Sequence, residues 1–106
     1  MKIFFANSAY TDLEGIKAYY QDEGVPHIGT EFVSSIIEHV QTLADNPEIG
    51  RVVPEFGRVV PEFGEQRIRE LIQSPFRVVY LREHDSIHVV RVWRSERLLK
   101  LPKDQT

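Results

Sequence analysis

Few side chains in this chain of 106 residues could carry chemistry. There is no cysteine, which excludes a disulfide scaffold, a zinc–thiolate site, an iron–sulfur cluster and a thiol nucleophile. His84 and His88 stand four apart, the spacing of a helical metal pair. They fall at a turn and a strand, where i and i+4 do not converge on one ion. An exposed loop histidine is the reading this favours, and no metal or other cofactor is expected. No glycine-rich phosphate loop occurs. For acid–base work the candidates are Glu70, His88 and Lys100, all of types that also occupy ordinary exposed positions. Arginine is no candidate, because its pKa lies above about 12. Tyr10, Tyr19 and Tyr20 could stack on bases, but at least Tyr20 fits a core better. Trp93 stands among Arg91, Arg94 and Arg97, and Trp and Arg dominate protein interfaces. Capping the edge of a core accounts for Trp93 equally well.

Charge is divided along the chain. Residues 1–50 carry Lys2 and Lys17 against eight acidic groups, a balance of −6. Residues 51–106 carry eleven basic groups against eight acidic, a balance of +3, and all nine arginines lie there. Such asymmetry is a cue for an anionic partner. Arginines alternating with apolar residues on a half-exposed sheet give the same count, and charge alone favours that plainer reading.

These residues need elements to position them. Lys2 to Ala6 reads as a short strand. Asn7-Ser8 offers a helix N-cap, with Asp12 and Glu14 early in the helix. Ala9, Leu13, Ile16 and Tyr20 recur at helical spacing, and Gly24 suits the position after a helix end. A second helix spans roughly 27–45. Ile28, Phe32, Ile36, Val40 and Leu43 form its stripe, and Asn46-Pro47 stops it. The pair reads as an antiparallel hairpin. Arg67 to Gln73, Phe76 to Glu83 and Ser86 to Arg94 then read as three antiparallel strands, split by Ser74-Pro75 and His84-Asp85. The expected fold is α+β in the order β-α-α-β-β-β: a helical hairpin on a small, mainly antiparallel sheet, in one domain over 1–106 with a polar tail at about 102–106. No apolar run approaches the ~20 residues that span a bilayer, and the short apolar start is no signal peptide, so a cytoplasmic protein is expected.

Residues 50–56 read Gly-Arg-Val-Val-Pro-Glu-Phe, and 57–63 repeat them. Two copies make no solenoid, and proline and glycine exclude a coiled coil. An odd shift of seven would turn opposite faces of one strand to the core. One copy is therefore expected in place and the other in an extended loop, which costs little entropy.

The residues Asp12-Leu13, Ile16 and Tyr19, then Phe32, Ile36 and Leu43, then Pro47 and Gly-Arg-x-Val-Pro-Glu, resemble the RelE/ParE toxin superfamily. So do Ile68-Arg69-Glu70-Leu71, Phe76-Arg77-Val78-Val79-Tyr80 and Ile87-x-Val89-Val90-Arg91-Val92. The resemblance runs over nearly the whole chain. It implies the toxin of a type II toxin–antitoxin pair. The RelE branch cleaves messenger RNA on the ribosome; the ParE branch is described as inhibiting DNA gyrase without enzymatic activity.

Cleavage by 2′-hydroxyl attack needs a base, cations for the phosphorane and an acid for the leaving oxygen. Arg77 matches the family's Arg-Leu-Val-Tyr-type strand. Such nucleases carry a tyrosine, histidine or lysine near the C-terminus; the stretch Arg94-Ser95-Glu96-Arg97-Leu98-Leu99-Lys100-Leu101 has no tyrosine or histidine and keeps only Lys100 of these types. The resemblance thus implies a ParE-like, non-enzymatic gyrase poison with no catalytic residues. A RelE-like endoribonuclease or an inert antitoxin-binding relative is the alternative. Expected target contacts are Trp93, Arg94, Arg97, Leu98 and Leu99. The resemblance also implies a ParD-like ribbon-helix-helix antitoxin, whose C-terminal half would wrap the toxin at Arg69, Arg77, Arg91 and Arg94. Arg77 has a structural reading too, as a cross-strand partner of Glu70. No membrane partner and no sequence-specific nucleic-acid binding by this chain alone are expected; a homodimer is left open.

Overall fold

The computed structural model describes residues 1–52 and 67–94, the side chains of Arg51 and Val52 excepted. Strand β1 (Lys2–Phe5) leads into helices α1 (Asn7–Asp22) and α2 (Pro26–Gln41), the second extended by a 3-10 turn at Thr42–Ala44. A two-residue strand β2 (Arg51–Val52) precedes β3 (Ile68–Gln73), β4 (Phe76–Arg82) and β5 (Ser86–Arg94). The sheet order is β1-β5-β4-β3-β2, with β1 parallel to β5 and every other pair antiparallel. The expected α+β order is observed, with β2 added. Most of the repeat, the segment from Ser95 to Leu101 and the tail lie outside the described residues.

The helices form for the reasons their spacing gives, with one correction. Ala6, not Asn7-Ser8, occupies the N-cap of α1, and no side chain caps it. The strand runs straight into the helix, so the Ala6 N–H still bonds the Val89 carbonyl at 2.9 Å while its own carbonyl accepts from Ala9 and Tyr10. Ser8 is thereby released to donate to the Val90 carbonyl at 2.5 Å. Asp12 falls beyond the first turn and serves β5 instead of the helix end. Gly24, at φ 81°, ends α1 as expected. Its N–H bonds the Gln21 carbonyl and the Val25 N–H bonds that of Tyr20, which satisfies the last turn. Pro26 then opens α2, where its missing N–H costs nothing.

The helical hairpin covers one sheet face. Ala9, Leu13, Ile16, Ile36, Val40 and Leu43 pack on Leu71, Phe76, Val78, Tyr80, Ile87, Val89 and Val92. β4 lies centrally, and Phe76 to Tyr80 are all buried, so both its faces are covered. An irregularity in β5 repairs an awkward alternation. Tyr80 faces Val89 while Val79 faces Arg91, which leaves Val90 as an extra residue. A bulge of this kind shifts the side-chain parity by one. Ile87 and Val89 point to the core before it, and Val92 after it.

Candidate interaction surface

The bulge also decides which backbone groups of β5 look outward. β1 pairs only with Ser86 to Val89, so the later half of β5 has an open edge on that side. α1 runs along this edge. Ser8 Oγ takes the Val90 carbonyl, and Asp12 Oδ2 accepts the Val92 N–H at 2.8 Å. Arg91 adds Nε to Asp12 Oδ2 at 2.8 Å and Nη2 to Asp12 Oδ1 at 3.0 Å. Chiefly this hydrogen bonding to Asp12 holds the Arg91 guanidinium above its ordinary pKa, against some desolvation.

Beyond Asp12 the two elements part. A groove of about 410 Å³ opens between them, with Gly15, Tyr19, Tyr20, Phe76, Trp93 and Arg94 among its lining residues. Arg94 Nη1 donates to the Tyr20 hydroxyl at 3.1 Å, and its guanidinium lies 5.6 Å from the Phe76 ring centre. The Arg91 guanidinium stands 5.0 Å from the Trp93 ring centre, within cation–π range. Trp93 and Arg94 thus meet at one place; Arg97, Leu98 and Leu99 lie outside the described residues.

The four arginines expected to meet an antitoxin divide between two faces. Arg69 pairs across strands with Tyr80, and Arg94 with Phe76, which places both on the helical side. Arg77 pairs with Trp93, and Arg91 with Val79, on the other side. Arg69 donates to the Gly50 carbonyl at 2.8 Å and lies 3.6 Å from Glu48, which also holds Arg82 at 2.8 Å. Arg77 is only 7% exposed and is ion-paired with the buried Glu70, the pairing its cross-strand reading anticipates.

Two of the three groups considered for proton transfer are engaged. Glu70 holds Arg77. His88 shares a 3.0 Å hydrogen bond with Ser86 Oγ and stacks on Phe4 at 5.0 Å between ring centres. Lys100 lies outside the described residues. Among the described residues no group of three or more His, Cys, Asp or Glu side chains could hold a metal ion. No described helix is long and apolar enough to cross a membrane.

One buried hydroxyl stands apart from this surface. Tyr80 is fully buried, with its ring end against the Gly50 backbone and near Glu48, Arg69 and Arg82. Burial first, and Glu48 to a lesser degree, push its pKa above 10.0; Arg69, Arg82 and the adjacent Gly50 backbone oppose them.

The sequence reading missed the groove and the part that Asp12 and Gly15 play in it. A glycine inside a strong helical pattern was the available signal. Asp12 carried none, since an acid near a helix start already has an explanation.

The family model of the ParE toxin of the type II toxin–antitoxin system, parDE, matches residues 3–99. Among solved structures, a chain of the chromosomal ParDE TA system from P. aeruginosa superposes with a TM-score of 0.67 at 24% identity, covering 89% of this chain and 95% of that one. A chain of the toxin–antitoxin complex RelBE2 from Mycobacterium tuberculosis gives 0.60 at 15% identity, covering 88% and 95%. These structures share the fold. No curated protein matches the chain.

Proposed function

We propose that this chain, which belongs to the ParE toxin family of type II toxin–antitoxin systems, poisons DNA gyrase by binding it and is neutralised by a ParD-like antitoxin. The observation that carries a binding mechanism is how Glu70 and His88 are used: one holds Arg77 and the other is stacked on Phe4 and bonded to Ser86. A base must reach the proton it removes, and these two are committed to the sheet. What the protein offers instead is a surface with aromatic and arginine side chains at the end of β5, the types that dominate interfaces.

Gyrase poisoning is a kinetic block. A protein that binds the enzyme while its DNA is cut traps the broken intermediate and needs no chemistry of its own. An antitoxin acts by covering the same toxin first. A flexible acidic segment suits this role, because it folds only on binding and neutralises the basic half of the chain as it does so.

Purified protein incubated with gyrase, supercoiled plasmid and ATP is expected to yield linear DNA after denaturant and protease. Unimpaired supercoiling at micromolar protein overturns the reading. Cleaved messages with abrupt translation arrest in expressing cells replace it with the ribosomal nuclease. Normal growth replaces it with an inert antitoxin-binding relative.

A further inference from the structure

The repeat extends upstream of Gly50 when its flanks are compared. Pro47-Glu48-Ile49-Gly50-Arg51-Val52-Val53 and Pro54-Glu55-Phe56-Gly57-Arg58-Val59-Val60 differ only at Ile49 and Phe56. The first segment fills a slot at the end of the sheet, and its contacts there come from positions that the two segments share.

Glycine is required at the centre of the slot. A Cβ on Gly50 would strike the Tyr80 hydroxyl and lie 2.9 Å from the Glu70 carbonyl. The Gly50 carbonyl accepts from Arg69 Nη1 at 2.8 Å. Two residues earlier, Glu48 holds Arg82 at 2.8 Å and lies 3.6 Å from Arg69. The next two residues join β3 through the backbone, Arg51 opposite Glu70 and Val52 opposite Arg69. Ile49, where the segments differ, is 51% exposed, and an exposed apolar position admits phenylalanine as readily.

We propose that this slot is filled in two registers, by the segment around Gly50 in the described state and by the segment around Gly57 in a second, less populated one. In the second register Gly57 lies against Tyr80, Glu55 replaces Glu48 beside Arg82 and Arg69, and Arg58 and Val59 pair with Glu70 and Arg69. A slip by an odd number of residues ordinarily turns the wrong side chains to each face of a strand. Here the sequence repeats with the slip, so each face receives the same residue types. The connection to β3 shortens from residues 53–67 to residues 60–67, and the connection after Ala44 lengthens by the same amount. Closure entropy changes slowly with loop length, so moving residues from one loop to the other nearly cancels. Gly64 offers no third register, although Pro61-Glu62-Phe63 precedes it. A strand at Glu65-Gln66 would leave Arg67 alone to turn into Ile68, and tight hairpins use about two residues. The duplication thus builds a two-state element into the edge of the sheet.

The test uses the full chain, with leucine barring one segment or the other from the slot. Gly57→Leu alone is expected to leave the unfolding equilibrium constant in urea within twofold of the starting value. Gly50→Leu is expected to stay folded by moving to the second register, with Tyr80 buried again and still the late tyrosine in an absorbance titration. Adding Gly57→Leu to Gly50→Leu leaves no segment that fits. In that background Gly57→Leu is expected to destabilise at least tenfold more than it does alone, or to abolish folding. An equal effect of Gly57→Leu in both backgrounds means a single register and overturns the proposal. A Gly50→Leu protein that unfolds, or that loses its late tyrosine, overturns it as well. The titration of Gly50→Leu decides the matter if the double variant does not fold.

Discussion

Asp12 and Arg91, 79 residues apart in sequence, meet in a two-pronged ion pair, and the same carboxylate accepts the Val92 N–H. One side chain thereby fixes α1 to the later half of β5. The Asp12 side chain is 13% exposed and that of Arg91 43%, so solvent weakens the charge part to about 1 kcal/mol or less. The backbone bond matters more, because an orphaned N–H at that edge costs about 1–3 kcal/mol. Asp12→Ala is expected to lose about 2–3 kcal/mol in urea unfolding. Asp12→Asn, which keeps an acceptor, should lose about 1 kcal/mol, and Arg91→Met less than that. Equal losses for Asn and Ala would show that the backbone bond contributes nothing.

Glu70 and Arg77 form the opposite kind of pair, since both are buried. Removing one partner of a buried pair costs about 3–5 kcal/mol. Arg77→Met and Glu70→Leu should each show a loss of that size. The double variant should recover part of it, because apolar side chains then replace both members of the pair. A consequence follows for partner binding: any loss of antitoxin affinity in Arg77→Glu should track the unfolded fraction measured by circular dichroism. A fully folded Arg77→Glu protein with lost affinity would instead make Arg77 a contact.

These two pairs show what was legible beforehand. Cross-strand neighbours on consecutive strands can be counted off once the turns are placed, so Glu70 and Arg77 were within reach of sequence reasoning. So were the helix stripes and Gly24, which follow from period and backbone conformation alone. Asp12 and Arg91 were not, because their meeting depends on the Val90 bulge and on the parallel return of β1, both non-local. The same bulge explains why a string of arginines and apolar residues could not be assigned to faces: one extra residue exchanges the faces of everything after it. The cap at Asn7-Ser8 failed for a related reason, since a residue still held in the sheet ladder occupied the N-cap.

Tyr80 gives the protein a defined alkaline limit. Its folded pKa lies above 10.0, chiefly through burial, so the folded state holds its proton where the unfolded state releases it. Stability from this group is complete below pH 10.0 and falls as pH rises through the folded value. Each unit of separation corresponds to about 1.4 kcal/mol. Tyr80→Phe should flatten the alkaline limb of a stability–pH curve. Absorbance titration near the phenolate band should show one of the four tyrosines ionising late or only on unfolding. Gly50→Ala tests the same contact, because a Cβ there would strike the Tyr80 hydroxyl and lie 2.9 Å from the Glu70 carbonyl. A cost of about 1–3 kcal/mol is expected, as for other overpacked sites.

Removing residues 57–63 should leave the fold intact. Arg51 and Val52, which carry the pairing of β2 with β3, are retained. The deletion roughly halves the connection between these strands, and a twofold shorter loop is worth about 0.6 kcal/mol in closure entropy. A thermal midpoint equal to or a few degrees above the starting value is therefore expected. A large drop would show that the second copy contributes contacts that the first cannot replace.

Gly15→Ala isolates the energetic side of the groove. The added methyl group meets nothing within 4 Å among the described residues, so it neither clashes with them nor packs on them. The change acts through the unfolded chain, which has fewer backbone states to surrender, and through the better helix propensity of alanine. An increase of about 0.5–1 kcal/mol is expected, or about 2–8 °C in the thermal midpoint for a domain of this size. A gain of that size would mean that the chain forgoes stability at Gly15, which local structure does not require. A zero or negative shift would mean that the position needs glycine for its own backbone.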